Sequence, residues 1–352
     1  MLLDARTRSI ANRIDDVLAA LPAELALHAS SETHACVLEL KTAPHATIGG
    51  VAEELTTLRP ALDGVLRDEL GLRAAAAGTH PLAVRSDVAV TADPRYHEIV
   101  ETMGALAHRE PTMALHVHVA VPDGAAAVRA LDGLRDDLPL LLALSANSPF
   151  WRGCDSGFAA MRSPIFSMFP RVGIPRRFGS YARYAAAVDR MLSSVAIRDP
   201  SFLWWDARLR PPLGTVEVRI MDAQSRPADV GALAALVQCL VRWHAEEGDD
   251  AATDAEVLDE NRFLAARDGM DAVFIDERSG RRPAFDLLAE RLEVCEPYAA
   301  ALGCLSELAD VAALARDPGH VRQRRLAARR GLDGLVASLV EDFAQAGRAI
   351  AV

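Results

Sequence analysis

Three short segments in which charged residues alternate with aliphatic ones constrain the fold of this chain more than any other feature of its sequence. The segments span residues 37–41, 115–119 and 215–220. Successive residues of a β-strand point to opposite faces of a sheet, so each segment predicts a strand with one apolar and one polar face. If the three strands share a sheet, its polar face carries six side chains, which are Glu39, Lys41, His116, His118, Glu217 and Arg219.

Such a face suits a divalent cation together with a phosphate group. Glu39 and Glu217 have the carboxylate oxygens that Mg²⁺ prefers, and His116 or His118 offers a nitrogen ligand. Arg219 would lie about 7 Å along the strand from Glu217, and its planar, permanently charged guanidinium matches phosphate oxygens. The plainer interpretation is an ion pair between Glu217 and Arg219 on a solvated sheet face, and the residues alone leave both interpretations open.

Composition narrows the class of protein. The 352 residues are 51% hydrophobic and carry a net charge of −11, which favours a large folded core and argues against a nucleic-acid partner. The five cysteines are scattered without a C-x-x-C pair, which is typical of reduced cytoplasmic thiols. Residues 1–4 do not begin a signal peptide, and the longest apolar stretch, 138–146, is too short to span a membrane. We therefore expect a cytoplasmic protein with small-molecule partners.

Helices and strands alternate without a regular β-α-β rhythm, which indicates an α+β fold with an antiparallel sheet in a single domain over residues 1–352. The segment 148–177 is rich in Gly, Pro and aromatic residues and predicts an ordered functional loop. Residues 248–255 predict a flexible break. Hydrophobic periodicity predicts helices over residues 9–21, 47–70, 93–108, 125–134, 138–146, 181–195, 230–246 and most of 259–349.

Five motifs follow one another along the chain. They are LLLALSANSPFWRG at 140–153, MRSPIF at 161–166, LWWD at 203–206, GTVEVR at 214–219 and ENR at 260–262. In order and spacing the chain resembles the type-2 glutamate–cysteine ligase family, also called carboxylate–amine ligases, over nearly its whole length. The resemblance implies a glutamine-synthetase-like fold in which an antiparallel sheet forms a funnel for ATP, Mg²⁺ or Mn²⁺, and an amino acid. It also implies that ATP phosphorylates a carboxylate and that an amine then displaces phosphate to form an amide.

The resemblance assigns a metal site to four residues. Glu39 lies at the glutamate of the family's V-E strand, and Glu217 lies at the metal-binding glutamate of its T-V-E-V-R motif. His118 matches the histidine of the family's V-H-V-G strand, although Ala120 stands here in place of the glycine. Glu32 falls where the family keeps a second acidic residue. The implied metal ligands are therefore these three glutamates and the histidine.

Two arginines are implied to contact the substrates. Arg219 matches the phosphate-contacting arginine of the T-V-E-V-R motif and would act with Glu217 in catalysis. Arg152 lies in a loop similar to part of the family's substrate funnel and would bind the nucleotide. Other roles stay open at this point, since Arg152 can stabilise its own loop, Glu32 can be a solvated carboxylate, and His116 can be structural.

The first residues differ from the family pattern. The family begins with a strand of the type G-x-E-x-E-F-x-L-x-D, whose glutamates contribute to the metal cluster, and residues 1–7 match only its end. We therefore expect a chain that is truncated relative to the family, either because the gene starts further upstream or because the protein has lost these ligands. For the sequence as given we expect weak metal binding and low amide-forming activity. An unpaired sheet edge at this place would also favour pairing with a second copy of the chain in a homodimer.

Three functions are compatible with these residues. The first is an ATP-dependent carboxylate–amine ligase, with glutamate joined through its γ-carboxylate to cysteine as the specific case. The second is a catalytically impaired homologue that binds a nucleotide or a protein partner. The third is a metal-dependent hydrolase that uses the glutamate and histidine face, and this function leaves Arg219 unexplained.

Overall fold

A computed structural model describes residues 1–248, 253–276 and 279–345 of the chain. Helices form most of the regular structure in these residues, so the fold combines helices and sheets as predicted. The helices are α1 Ile14–Ala20, α2 Ala23–Ala26, α3 Ile48–Leu70, α4 Pro94–Met103, α5 Gly124–Leu134, α6 Leu138–Ser145, α7 Arg162–Phe166, α8 Tyr181–Leu192, α9 Pro227–Glu246, α10 Ala255–Asp268, α11 Ala284–Leu302, α12 Leu305–Arg316 and α13 Gly319–Ala344.

The strands are short and lie mainly between the helices of the first two thirds of the chain. They are β1 Leu2–Asp4, β2 Ala29–Ser31, β3 Leu38–Leu40, β4 Leu72–Ala74, β5 Val117–Ala120, β6 Phe150–Trp151, β7 Cys154–Asp155, β8 Val172–Gly173, β9 Trp204–Trp205, β10 Ala207–Arg210, β11 Thr215–Val218, β12 Val273–Phe274 and β13 Arg282–Pro283. Single turns of 3₁₀ helix cover residues 85–87, 104–108, 200–202, 211–213 and 269–271.

The strands pair in several small sheets rather than in one. β10, β11 and β5 form an antiparallel three-stranded sheet in that order. β1 pairs with β4, β6 with β7 and β12 with β13, all antiparallel, whereas β8 and β9 are parallel. β3 pairs with β2, so the first of the three predicted polar strands does not share a sheet with the other two. Only six residues separate β2 from β3, and closing so short a loop costs less entropy than pairing β3 with the distant β5.

The main core lies between the apolar face of the three-stranded sheet and the helices α5, α6 and α9. Val216 and Val218 on β11 are fully buried in the cluster that also contains all the apolar residues of α6 except Pro139. The alternation of the sequence therefore predicted the inward side of β11 correctly. Burial of these aliphatic side chains orients the opposite face of β11, which carries Glu217, away from the core.

Side chains cap the first turns of two of the predicted helices. Thr47 caps α3 by accepting a hydrogen bond from the Gly50 N–H, and Asp123 caps α5 by accepting one from Ala126. The predicted helix over 9–21 is shorter, since α1 begins at Ile14. Residues 10 and 11 instead stay extended beside β1, because the Ala11 N–H donates to the Leu2 carbonyl at 3.0 Å.

The predicted functional loop at 148–177 is ordered and contains β6, β7, α7 and β8. β6 and β7 form a hairpin whose two turn residues, Arg152 and Gly153, both have positive φ angles of 52° and 81°. Left-handed backbone at both positions is the geometry of a tight hairpin turn that follows the strand twist. The predicted break at 248–255 and the end of the last predicted helix include residues 249–252 and 346–349, which lie outside the described part. No described helix combines the length and apolar character needed to cross a membrane.

Candidate active site

The polar face of the three-stranded sheet is a lattice of side chains fixed by strand register. Arg208 on β10 pairs with Glu217 on β11, and Glu217 pairs with His118 on β5. Arg210 pairs in the same way with Thr215, one row further along. Because residues two apart share a face, these five side chains lie together on the side opposite the core.

Glu217 is at the centre of this lattice and is surrounded by arginines. It is only 2% exposed, and Arg208 Nε donates to its Oε2 atom at 2.7 Å. Arg219 Nη1 donates to Oε1, and Arg210 Nε lies 4.0 Å from Oε2. We call the four residues Arg208, Arg210, Glu217 and Arg219 the cationic face, because three permanent positive charges surround one carboxylate.

The arginines keep Glu217 ionised despite its burial. Burial alone would raise the pKa of the Glu217 carboxyl, but the charges and hydrogen bonds of Arg219 and Arg208 outweigh it and hold the pKa well below its ordinary value. The ion pair that the plainer interpretation of the sequence expected between Glu217 and Arg219 is therefore present. It differs from that interpretation in being buried rather than solvated.

Two histidines border the cationic face on β5 and just before it. His116 Nδ1 lies 3.7 Å and His118 Nε2 lies 3.8 Å from Glu217 Oε1. Burial, and for His116 also the charge of Arg219, lowers the pKa of both imidazoles. Both rings are therefore neutral near pH 7, which is the form that binds a metal or donates a hydrogen bond to an anion.

The β2–β3 hairpin brings two carboxylates near the cationic face. Glu39 on β3 accepts a hydrogen bond from the Ser30 hydroxyl at 2.9 Å and lies 3.8 Å from Lys41. Burial raises the pKa of Glu32, the negative charge of Glu39 raises it further, and Arg219 acts in the opposite direction. We call Glu32 and Glu39 the acidic hairpin. It lies within electrostatic range of Arg219, although it belongs to a different sheet.

Arg208 and Arg210 belong to the cationic face but were not among the site residues predicted from the sequence. Both lie in the run A-R-L-R of residues 207–210, which shows the same charged-aliphatic alternation as the β11 segment. That alternation was the available signal, but only the pairing of β10 with β11 shows that the two arginines face Glu217.

A second set of polar residues holds the main chain in place directly after β11, at residues 219 and 220. The Arg219 N–H donates to the Asp206 carbonyl at 2.8 Å, and Arg262 Nε donates to the Asp206 carboxylate at 2.6 Å. Arg162 is almost fully buried and donates to the carbonyls of Ile220 and Arg219 at 3.0 and 3.3 Å. These residues come from the MRSPIF, LWWD and ENR motifs, so the motifs meet in space around Arg219.

Arg152 is not part of this group. At the tip of the β6–β7 hairpin its guanidinium pairs with the buried Glu110, with nitrogen–oxygen distances of 2.7 and 2.6 Å, and lies over the Trp151 ring. These contacts agree with the alternative in which Arg152 stabilises its own loop. A role in nucleotide binding remains a prediction for this residue.

Comparison with known proteins identifies the family. The sequence profile of glutamate–cysteine ligase family 2 matches residues 3–342. The chain belongs to this family. Two relatives from Rubrobacter xylanophilus, provisionally named glutamate–cysteine ligase 2-3 and 2-1, are 40% and 39% identical over 98% and 97% of this chain, and over 94% and 92% of their own lengths. A relative from Nocardia farcinica, also provisionally named glutamate–cysteine ligase 2-1, is 37% identical over 98% of this chain and 91% of its own length.

A solved structure shares the fold of this family member. The crystal structure of a bifunctional glutathione synthetase from Pasteurella multocida superposes with a TM-score of 0.65 at 13% sequence identity. The superposition covers 90% of this chain and 48% of that one. At this identity the likeness concerns the fold alone, and it supports the mixed helix-and-sheet class.

The side chains of this glutamate–cysteine ligase family member fit a divalent cation at only one kind of site. Within the described ranges, no three histidine, cysteine, aspartate or glutamate side chains converge closely enough to enclose a metal ion. Mg²⁺, however, is usually held by only one or two carboxylates and completes its shell with substrate phosphates and water. The repulsion between Glu32 and Glu39 would be relieved by a cation. The acidic hairpin therefore fits an open metal–nucleotide site and not a closed structural one.

Proposed function

We propose that this chain is an ATP-dependent carboxylate–amine ligase that forms an amide through an acyl phosphate. Glutamate, through its γ-carboxylate, and cysteine are the proposed acid and amine. The observation that carries the proposal is the cationic face beside the acidic hairpin in a chain of the glutamate–cysteine ligase family. Family membership favours a ligase over the hydrolase and over the impaired binding protein.

The charges of the site suit a reaction between anions. In the proposed first step a carboxylate oxygen attacks the terminal phosphorus of ATP, and the bond to ADP breaks. Both reactants are negatively charged, so positive groups between them lower the barrier. Arg219 is the proposed contact to the transferred phosphate, because its position on the face leaves the Nε atom without a hydrogen-bond partner.

The second proposed step forms the amide. The amine nitrogen attacks the acyl carbon, phosphate leaves, and the nitrogen loses a proton. No nucleophilic side chain takes part in this scheme, so the residues of the site bind, orient and neutralise. The funnel that the family resemblance implies would limit access of water to the acyl phosphate, which otherwise hydrolyses.

The proposed metal ligands are Glu32, Glu39, Glu217 and His118. A bound Mg²⁺ or Mn²⁺ would neutralise charge on the phosphates of ATP. Glu32 accepts a hydrogen bond from the Thr33 N–H and Glu39 accepts one from the Ser30 hydroxyl, whereas both oxygens of Glu217 are held by the charged Arg208 and Arg219. Glu217 therefore joins the ligand set only when Arg219 exchanges this carboxylate for a phosphate.

ADP release tests the proposed function. The protein is incubated with ATP, Mg²⁺, glutamate and cysteine, and each amino acid is omitted in turn. We expect ADP and phosphate in equal amounts with an amide product that mass spectrometry detects, and no amide when either amino acid is absent. ADP release without any amide from a panel of acids and amines would contradict the proposal, and so would the absence of ADP release.

A further inference from the structure

One corner of the sheet lattice is open. In the row of Glu217 the neighbouring side chains are large, since Arg208 lies on one side and His118 on the other. In the next row Arg210 is followed by Thr215 and then by Ala120, so two small side chains stand beside one arginine. This open corner, formed by Arg210, Thr215 and Ala120, is reached from solvent, because the Arg210 side chain is 33% exposed and Ala120 is also exposed.

Among the three arginines of the cationic face, Arg210 differs in that its guanidinium makes no hydrogen bond to another described residue. The guanidinium of Arg208 is fully engaged, because it donates to Glu217 and to the carbonyls of Ser201 and Leu203. Arg219 donates to Glu217 and lies next to His116. The side chain of Arg210 makes no hydrogen bond within the described part of the chain, and its buried Nε atom, like that of Arg219, is without a partner.

The charge around the open corner is not balanced by the nearest carboxylates. Arg208 and Arg219 together already exceed the single negative charge of Glu217. Asp199 also lies within electrostatic range of Arg210, but it caps the turn at residues 200–202 by accepting from Ser201 at 2.7 Å. A multiply charged anion at the corner would therefore meet an excess of positive charge in a partly desolvated place.

We infer that the open corner is a phosphate subsite, in which Arg210 and the Thr215 hydroxyl bind a phosphate group of the nucleotide beside His118. The planar fork of Arg210 offers several donors in the geometry that phosphate oxygens accept. The Thr215 hydroxyl lies 3.1 Å from His118 Nδ1 and lies directly across the strand pair from Arg210. Ala120 leaves the space that the phosphate needs. This inference rests on the proposed function, since it presumes a nucleotide as the ligand.

Calorimetric titration with ADP in the absence of metal tests the subsite. We expect Arg210→Gln to weaken ADP binding about tenfold or more and Thr215→Val about fivefold, from the loss of a charge-assisted and a neutral hydrogen bond. Ala120→Leu should weaken it as well, because it fills the space without removing a charge. Arg242→Gln is the matched control, since Arg242 is exposed on α9 and, among the residues that the structure describes, forms its ion pair with Glu246. Thermal unfolding of each variant reports whether the fold is kept.

Titrations with inorganic phosphate and with glutamate separate the phosphate from a carboxylate as the bound group. Loss of phosphate and ADP affinity with unchanged glutamate affinity in Arg210→Gln supports the subsite. Loss of glutamate affinity alone, or ADP binding as tight as in the wild type, overturns it. A wild-type protein that binds ADP through Arg210 but never releases ADP from ATP would refute the ligase and keep the subsite. If the wild type is a working ligase and Arg210→Gln leaves both the ADP affinity and the KM for ATP unchanged, the proposed function is kept and the subsite is refuted.

Discussion

The cationic face and the acidic hairpin are built alike and charged oppositely. Each is formed from short antiparallel strands that pack aliphatic residues against a hydrophobic cluster on one side and present polar residues on the other. On the cationic face three arginines surround one carboxylate, whereas on the hairpin two carboxylates are accompanied by Lys41 at 3.8 Å from Glu39. The cationic face carries a net positive charge and the acidic hairpin a net negative charge. Each surface therefore suits a ligand of the opposite charge.

The contrast extends to the pKa values. The net effect of burial and neighbours lowers the pKa of Glu217 and raises that of Glu32, although burial by itself acts upward on both. The difference comes from the partners, which are arginines for Glu217 and the like-charged Glu39 for Glu32. A divided site of this kind can hold a metal–nucleotide complex, with cation and anion each next to the surface that attracts it.

The largest expected effect comes from Arg219 on the cationic face. Arg219→Gln should lower the rate of ADP release on the order of 10³-fold, because it removes a positive charge at the proposed transferred phosphate. The temperature of thermal unfolding should fall as well, because Glu217 loses one of its two hydrogen-bonded arginines, so the rates are compared at a temperature at which the variant is folded. Full ADP formation by Arg219→Lys, which keeps the charge but loses the planar fork, would show that Arg219 does not contact the phosphate as proposed.

A second effect concerns the stability of the cationic face. Arg208→Met leaves Glu217 buried with one fewer partner, so the free energy of unfolding should fall by about 3 kcal/mol. Urea denaturation measures this change. The variant that combines Arg208→Met with Glu217→Gln should recover part of the loss, because the buried charge is then absent. No recovery in the double variant would mean that Arg208 stabilises the chain only through Ser201 and Leu203.

A third effect distinguishes Glu217 from the acidic hairpin as a metal ligand. Glu217→Gln should weaken Mn²⁺ binding on the order of tenfold when a non-hydrolysable ATP analogue is present and leave it unchanged when the analogue is absent. The reason is that the arginines hold both Glu217 oxygens until the terminal phosphate draws Arg219 away. Calorimetry with and without the analogue measures both affinities. Equal Mn²⁺ affinity of the variant and the wild type in the presence of the analogue would remove Glu217 from the ligand set.

The smallest effect is a pH dependence on the acidic hairpin. The pKa of Glu32 is raised in the folded state by burial and by Glu39, so its ionisation opposes folding above that pKa, and the penalty disappears as the pH falls below the unfolded value. Glu32→Gln should therefore be more stable than the wild type at pH 7, with a difference that shrinks toward pH 4. Thermal unfolding across this range checks the trend, with the exposed Glu69→Gln as control. A difference that grows on acidification would reverse the sign we derive.

Much of the cationic face could be predicted because alternation along a strand is a local property. Glu217, Arg219 and His118 were placed on one polar face from the sequence, and the structure brings them together. Arg208 and Arg210 were not selected, because their role depends on the pairing of β10 with β11.

The acidic hairpin and Arg152 depended on contacts distant in sequence. Glu39 was expected in the same sheet as Glu217, but the local pairing of β3 with β2 placed it in another sheet. Arg152 was expected near the substrates through the family resemblance, and its partner Glu110 lies 42 positions away in the chain. The family resemblance indicated which motifs belong to the site. Which of their side chains lie in contact depends on strand register and tertiary packing, and these could not be predicted from the motifs.

The most direct test of the divided site is a crossed set of titrations by calorimetry. Mn²⁺ alone and ADP alone are each titrated into Glu39→Gln and Arg210→Gln, with the wild type as reference. We predict that Glu39→Gln loses Mn²⁺ affinity and keeps its affinity for metal-free ADP, while Arg210→Gln loses ADP affinity and keeps its affinity for Mn²⁺. Equal loss of both ligands in both variants, or no loss in either, would contradict the assignment of cation and anion to separate surfaces.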